Sequence, residues 1–227
     1  MAFYMQQIIK AVLWDMDGTL ADTGELHFQT WKNALAGLGY ELSYEKFNAT
    51  FGMNNQGILE TLLGETPSAE LVTRISDEKE GEYRRLLHGS VSLLPGVREW
   101  LDWLHSHHIP QAIASSAPPE NIEAFVDELH LRPYFEALVA GFDMPGKPDP
   151  GIFLLTASRL GVAPARCLVI EDSIAGVEAA RRAGMRCIAV TTTNPPEALS
   201  HATVVVDSLT QLDPAEFIRR GEHKVNK

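Results

Sequence analysis

Basic residues, cysteine and long apolar runs are all scarce in this 227-residue chain, and each scarcity excludes something. Nineteen Lys and Arg stand against thirty Asp and Glu, a formal charge of −11. A chain of that sign is repelled by polyphosphate, which argues against nonspecific nucleic-acid binding and against docking on anionic membranes. Any anionic small molecule would need a local positive site. No apolar stretch approaches the roughly 20 residues of a membrane span, and no basic-then-apolar pattern opens the chain. The two cysteines, Cys167 and Cys187, lie in apolar strand-like runs with no Cys-Xaa-Xaa-Cys spacing and no adjacent His. They read as buried small hydrophobes rather than a disulfide or metal pair. Repeats and low-complexity segments are also missing. The expectation is a cytoplasmic, reduced protein, with neither membrane nor nucleic acid as partner, and a monomer or weak dimer.

Composition otherwise is that of an ordinary globular protein, 45% hydrophobic and 22% charged, and the length suffices for a sizeable core. An apolar run from Ile8 to Trp14 reads as a strand buried on both faces. Helical periodicity follows over about Glu25–Leu38, with Gly39 as its stop, then Tyr44–Phe51, Gln56–Leu63 and Ala69–Leu87. From Pro95 the pattern changes to alternation. Helices are expected over Val97–His107, around Ile122–Leu129, and over Gly151–Leu160 and Ile174–Ala183. Strands are expected over Pro110–Ala114, Ala137–Ala140, Cys167–Ile170, Arg186–Val190 and Thr203–Val206. The polar end, Gly221–Lys227, reads as frayed. The fold class is therefore α/β: a Rossmann-like, doubly wound parallel sheet formed by residues 1–20 and 91–227, with an all-helical domain, 21–90, inserted after the first strand.

The first strand ends in Asp15-Met16-Asp17-Gly18-Thr19, and parallel sheets bind ligands outside the carboxyl ends of their strands. Two acids placed there repel each other unless a cation or unequal protonation relieves them. Other strand ends bring Ser115 and Ser116, then Glu171 and Asp172, with Lys147 framed by Gly146 and Pro148 between them. Oxygen donors from Asp15, Asp17, Glu171 and Asp172 suit a hard divalent cation, Mg²⁺. Ser115, Ser116 and Lys147 suit a phosphate. Together they describe phosphoryl transfer through an aspartyl phosphate, with Asp15 as nucleophile and Asp17 as general acid and base.

Those residues also resemble, in order, the four motifs of the haloacid dehalogenase superfamily: Asp15-Met16-Asp17-Gly18-Thr19, Ser115, Lys147-Pro148, and Glu171-Asp172-Ser173 with Gly176. The second Asp makes the chain similar to the phosphotransferase members, and within them to the β-phosphoglucomutase-like phosphatases and mutases. That resemblance implies a Rossmann-like core, an obligatory Mg²⁺ and a helical cap that closes over a small phosphorylated substrate. It also implies cap contacts from His27, Trp31, Asn55 and Lys79. His27 reads either as an orienter of Asp17 or as a surface or interface histidine, Trp31 as bundle core rather than sugar platform, and Lys79 as one charge of a solvated helix face. Where the mutase pattern carries an Arg for a second phosphate, this chain has Asn55. The expected activity is accordingly a Mg²⁺-dependent phosphatase of small phosphorylated metabolites, sugar phosphates in particular. β-Phosphoglucomutase is the alternative, followed by a non-catalytic phosphate-binding regulator.

Overall fold

A computed structural model of the chain describes residues 9–50 and 53–220. Its centre is a six-stranded, all-parallel sheet: β1 (Ala11–Trp14), β2 (Gln111–Ser115), β3 (Ala137–Ala140), β4 (Cys167–Glu171), β5 (Arg186–Val190) and β6 (Val204–Val206). The strand order is β3-β2-β1-β4-β5-β6. Chain direction across the sheet thus reverses between β1 and β4, the switch point at which such sheets open a crevice. β1 pairs with both neighbours, Leu13 lying beside Ala112 of β2 and Val169 of β4.

Side chains alternate across the sheet, so β1 feeds two cores at once. Val12 and Trp14 join the larger cluster, with Trp100, Leu101, Phe125 and Phe217. Ala11 and Leu13 join the smaller one, which is rich in alanine and lets α7 (Gly151–Arg159) and α8 (Ile174–Arg182) approach closely. A buried polar pair sets the β1–β2 register. The Trp14 indole donates to Gln111 Oε1 (3.1 Å), whose amide donates to the Leu101 carbonyl of α5 (Val97–Ser106) at 3.2 Å.

Between β1 and α5 lie four helices: α1 (Gly24–Ala36), α2 (Tyr44–Asn48), α3 (Asn55–Leu63) and α4 (Ala69–Leu87). They close on a core of their own, with Trp31, Leu35, Phe47, Leu59 and Ile75 buried together. The chain leaves and re-enters the sheet domain side by side. Ala21 bridges Leu93, and the Leu94 N–H donates to the Leu20 carbonyl (2.9 Å).

Most expected elements appear within one or two residues of their expected bounds. Helix α1 stops at Ala36, sooner than the periodicity implied, and Gly39 takes the left-handed turn that follows (φ 72°). Helix α2 ends at Asn48 because the Thr50 hydroxyl donates to the Phe47 carbonyl (2.8 Å), closing the chain into a turn. The Phe51 end of that expected helix, Ile8 and the Gly221–Lys227 tail lie outside the described residues. A further helix, α6 (Pro119–Glu128), starts earlier than its first apolar residue, and α9 (Pro214–Arg220) was not expected at all. Helix α9 is held by Phe217 against Trp100 (ring centroids 6.1 Å).

Candidate active site

Asp15 directly continues β1, its N–H donating to the Ile170 carbonyl of β4 (3.0 Å). That places its carboxylate at the switch point beside Glu171 and Asp172. One oxygen from each of these three buried acids lies within 4.8 Å of the others. The buried Lys147 Nζ bonds Asp15 Oδ1 and reaches Glu171 Oε1 at 2.7 Å. Glu171 Oε2 accepts from the Asp172 N–H (2.7 Å), the Ser173 N–H (2.6 Å) and the Ser173 hydroxyl (2.9 Å). Both oxygens of Glu171 are thus engaged at the N-terminus of α8, where the helix favours negative charge. Two glycines make room for this packing. A Cβ on Gly176 would run into the Glu171 carboxylate, and one on Gly18 (φ 79°) into that of Asp172.

Three carboxylates buried with one ammonium leave uncompensated negative charge. Burial, followed by the charge of Glu171, pushes Asp15 up to about 8 against the pull of Lys147. Burial, then Glu171 and Asp15, push Asp172 well above the usual range. Burial alone would lower Lys147, but Asp15 and Glu171 raise it beyond the ordinary lysine value. The site therefore favours taking up positive charge, and its all-oxygen donor set fits a hard divalent cation. Asp172 is steadied by hydroxyls, Thr19 Oγ1 on Oδ1 (3.2 Å) and Thr193 Oγ1 on Oδ2 (2.5 Å), while the Asn194 amide donates to its carbonyl (3.2 Å). Thr193 and Asn194 escaped the sequence reading. Their signal was the Thr191-Thr192-Thr193-Asn194 run just past the carboxyl end of β5.

Asp17 has different surroundings. Its Oδ1 accepts from Thr23 Oγ1 (2.6 Å) and Tyr83 Oη (3.3 Å), and His27 Nε2 lies 3.0 Å away. The Lys79 ammonium, which can only donate, faces His27 Nδ1 at 3.0 Å. Nδ1 must then accept, and Nε2 carries the hydrogen toward Asp17. Burial pushes Asp17 up, but His27, the Thr23 hydrogen bond and Lys79 outweigh it and hold the carboxyl below the usual range. The Asp17 side chain stands apart from the three-acid cluster, facing the cap.

His27 is therefore buried and stacked on Tyr83 (4.5 Å), not a surface histidine. Lys79 is a correction. It is 2% exposed and ion-paired with Glu80 (3.0 Å), over the rings of Trp31 and Tyr83, because α4 turns this pair inward while Glu78 and Glu82 face away from it. Trp31 is core and cleft wall at once. Asn55 is buried and donates to Glu80 Oε1 (2.7 Å).

Eight of the expected site residues share one cleft: Asp15, Asp17, His27, Trp31, Asn55, Lys79, Ser115 and Ser116. Lys147, Glu171 and Asp172 are buried around Asp15. The Ser115 hydroxyl accepts from the Ala117 N–H (3.1 Å), and α6 opens only at Pro119, so Ser115, the last residue of β2, and Ser116 just after it precede that helix rather than sit at its first turn.

Comparison with known proteins identifies the family. The family model of haloacid dehalogenase-like hydrolases matches residues 9–184. The chain belongs to that family. It is 34% identical over 185 residues to the phosphorylated carbohydrates phosphatase of Thermotoga maritima, covering 79% of this chain and 84% of that one. Identity is also 34%, over 188 residues, to the fructose-1-phosphate phosphatase YqaB of Escherichia coli, covering 82% and 98%. Among solved structures, the β-phosphoglucomutase of Clostridium difficile superposes with a TM-score of 0.84 at 27% identity, over 94% of this chain and 97% of that one. The sequence reading of a capped, Rossmann-like phosphatase agrees with these relatives.

Proposed function

We propose that the protein is a Mg²⁺-dependent phosphatase of small phosphorylated carbohydrates, working through a phosphoryl group carried on Asp15. The observation that carries this reading is the unequal setting of the two aspartates. Asp15 is pinned by Lys147 inside the acid cluster, while Asp17 faces the cap from a cage of hydroxyls and His27. Asp15 would attack phosphorus as the bond to the leaving alcohol breaks. Asp17 would give that alcohol a proton and then take one from the water that cleaves the phosphoenzyme. At rest Asp17 is a base, and the nearby charge of an incoming phosphate raises its affinity for the proton it must deliver.

Asp15, Asp172 and the main-chain carbonyl of Asp17 would hold the cation, with Glu171 fixing Lys147 and the Asp172–Ser173 turn. Bound Mg²⁺ supplies countercharge to the phosphoryl oxygens. Ser115, Ser116 and Lys147 serve the same oxygens. The cleft encloses only about 60 Å³, against some 300–1,000 Å³ for ordinary ligand sites. Residues 21–90 thus act as a cap that parts from the sheet edge to admit a sugar phosphate. No described helix is long and apolar enough to cross a membrane, and the two buried free thiols suit the cytoplasm. We place the protein there as a monomer or weak dimer.

The likeness to the Clostridium enzyme favours a second reading, β-phosphoglucomutase. A screen of sugar monophosphates for released inorganic phosphate separates the two, with β-glucose 1-phosphate plus its bisphosphate activator included. The expected outcome is hydrolysis by the wild type and at least a roughly 10³-fold loss in Asp15→Asn. Retained activity in that variant, or interconversion outpacing phosphate release, overturns the proposal.

A further inference from the structure

On the cap side of the cleft, α4 places a complete ion pair. Lys79 Nζ lies 3.0 Å from both oxygens of Glu80, and the two residues are 2% and 5% exposed. Two carboxamides from opposite sides orient the Glu80 carboxylate. Asn55 of α3 donates to Oε1 at 2.7 Å, and Asn121 of α6 donates to Oε2 at 2.5 Å. Asn121 is itself fixed by Arg84, whose Nη1 donates to its Oδ1 (2.7 Å). Glu80 is thus built into the cleft by three helices, two from the cap and one from the core. Of the described Lys and Arg side chains, Lys79 is the one lining the cleft.

We infer that Glu80 is a specificity-determining residue. By neutralising Lys79 it selects monophosphates with an uncharged, hydroxyl-bearing leaving group and rejects molecules that carry a second phosphate. This rests on the phosphatase reading. The transferred phosphate takes the end of the cleft at Asp15 and Ser115, so the rest of the substrate extends along the cap-side lining. A second phosphate there would meet an ammonium already paired and a buried carboxylate of its own sign, with no cation left over to offset its desolvation. Hydroxyls, in contrast, bring no charge, and the Asn55 carboxamide, which gives Glu80 one of its two amide hydrogens, can still donate to them and accept from them. Trp31, Phe47 and Ile58 give the same space apolar walls suited to the faces of a carbohydrate chain.

Binding to the Asp15→Asn chain with Mg²⁺ present, followed by calorimetry, tests the inference without turnover. Fructose 1-phosphate and fructose 1,6-bisphosphate are the probes. The monophosphate should bind at least about tenfold more tightly. Adding Glu80→Gln frees the Lys79 charge and should narrow that preference at least about fivefold by strengthening the bisphosphate. Equal or tighter binding of the bisphosphate to Asp15→Asn overturns the inference, as does an unchanged ratio in the folded double variant. If the double variant does not fold, the first comparison still decides. Failure of the phosphatase reading looks different: the wild type releases no phosphate from any ester.

Discussion

Lys79 and Glu80 sit in a stretch of α4 whose composition, Asp77-Glu78-Lys79-Glu80-Gly81-Glu82, is that of a solvated helix face. Only their burial separates them from it. Burial would raise the Glu80 carboxyl, but the charge of Lys79 and the Asn55 hydrogen bond hold it below the usual range. A depressed folded value means stability that is present above about 4.5, the unfolded value, and lost as pH falls below it. The urea midpoint of the wild type should therefore drop more between about pH 7 and pH 4 than that of Glu80→Gln. Equal drops would mean that the pair contributes no pH-dependent stability. The cysteines give a second residue-scale test. Burial pushes the Cys167 thiol up to about 11 and holds Cys187 well above the ordinary thiol value. Neither should react with a thiol reagent near neutral pH in the native protein, and both should after denaturation.

Among the elements, α8 has the heaviest duty. Ser173 caps it through the Gly176 N–H (3.0 Å), and its first turn receives the Glu171 carboxylate. The absence of a Cβ at Gly176 allows that seat. Gly176→Ala should cost about 1–3 kcal/mol by overpacking. It should also lower turnover, because Glu171 can move only by releasing Lys147 or the Asp172–Ser173 turn. Urea unfolding and kinetics on one aryl phosphate check both halves; a stable, active variant would show that Glu171 has another seat. Helix α9 teaches a different lesson. Seven residues are too few for a periodic signal, and it exists because Phe217 finds Trp100, a contact made across more than a hundred residues.

At the scale of the whole molecule, the sheet order brings Asp15, Lys147 and Asp172 together from three separate stretches of chain. A cation bound only by the folded state stabilises it by about 2.7 kcal/mol at a hundred times its Kd. For a chain of this size that is roughly 5–10 °C in Tm. Adding Mg²⁺ to chelator-treated protein should raise Tm by that order, and Asp172→Asn should abolish the rise. An equal rise in the variant would place the cation elsewhere.

The strands, the helical insert and the residues at the strand ends were legible because their signals are local: apolar runs, 3.6-residue stripes, and acids where a strand stops. Family likeness in the motifs then suggested the chemistry proposed for Asp15, Asp17 and Lys147. What the linear chain could not carry was which way a side chain turns. Lys79 and Glu80 are indistinguishable by composition from their solvated neighbours, and Asn121 and Thr193 have no motif of their own. Their roles depend on α4 crossing α1 and α6, and on β5 ending beside β4. Sequence determined that two carboxylates would end the first strand. Tertiary packing decided that one of them would face Lys147 and the other His27, because only the packing of the helical insert against the end of β1 puts a histidine, a tyrosine and a buried lysine over the second.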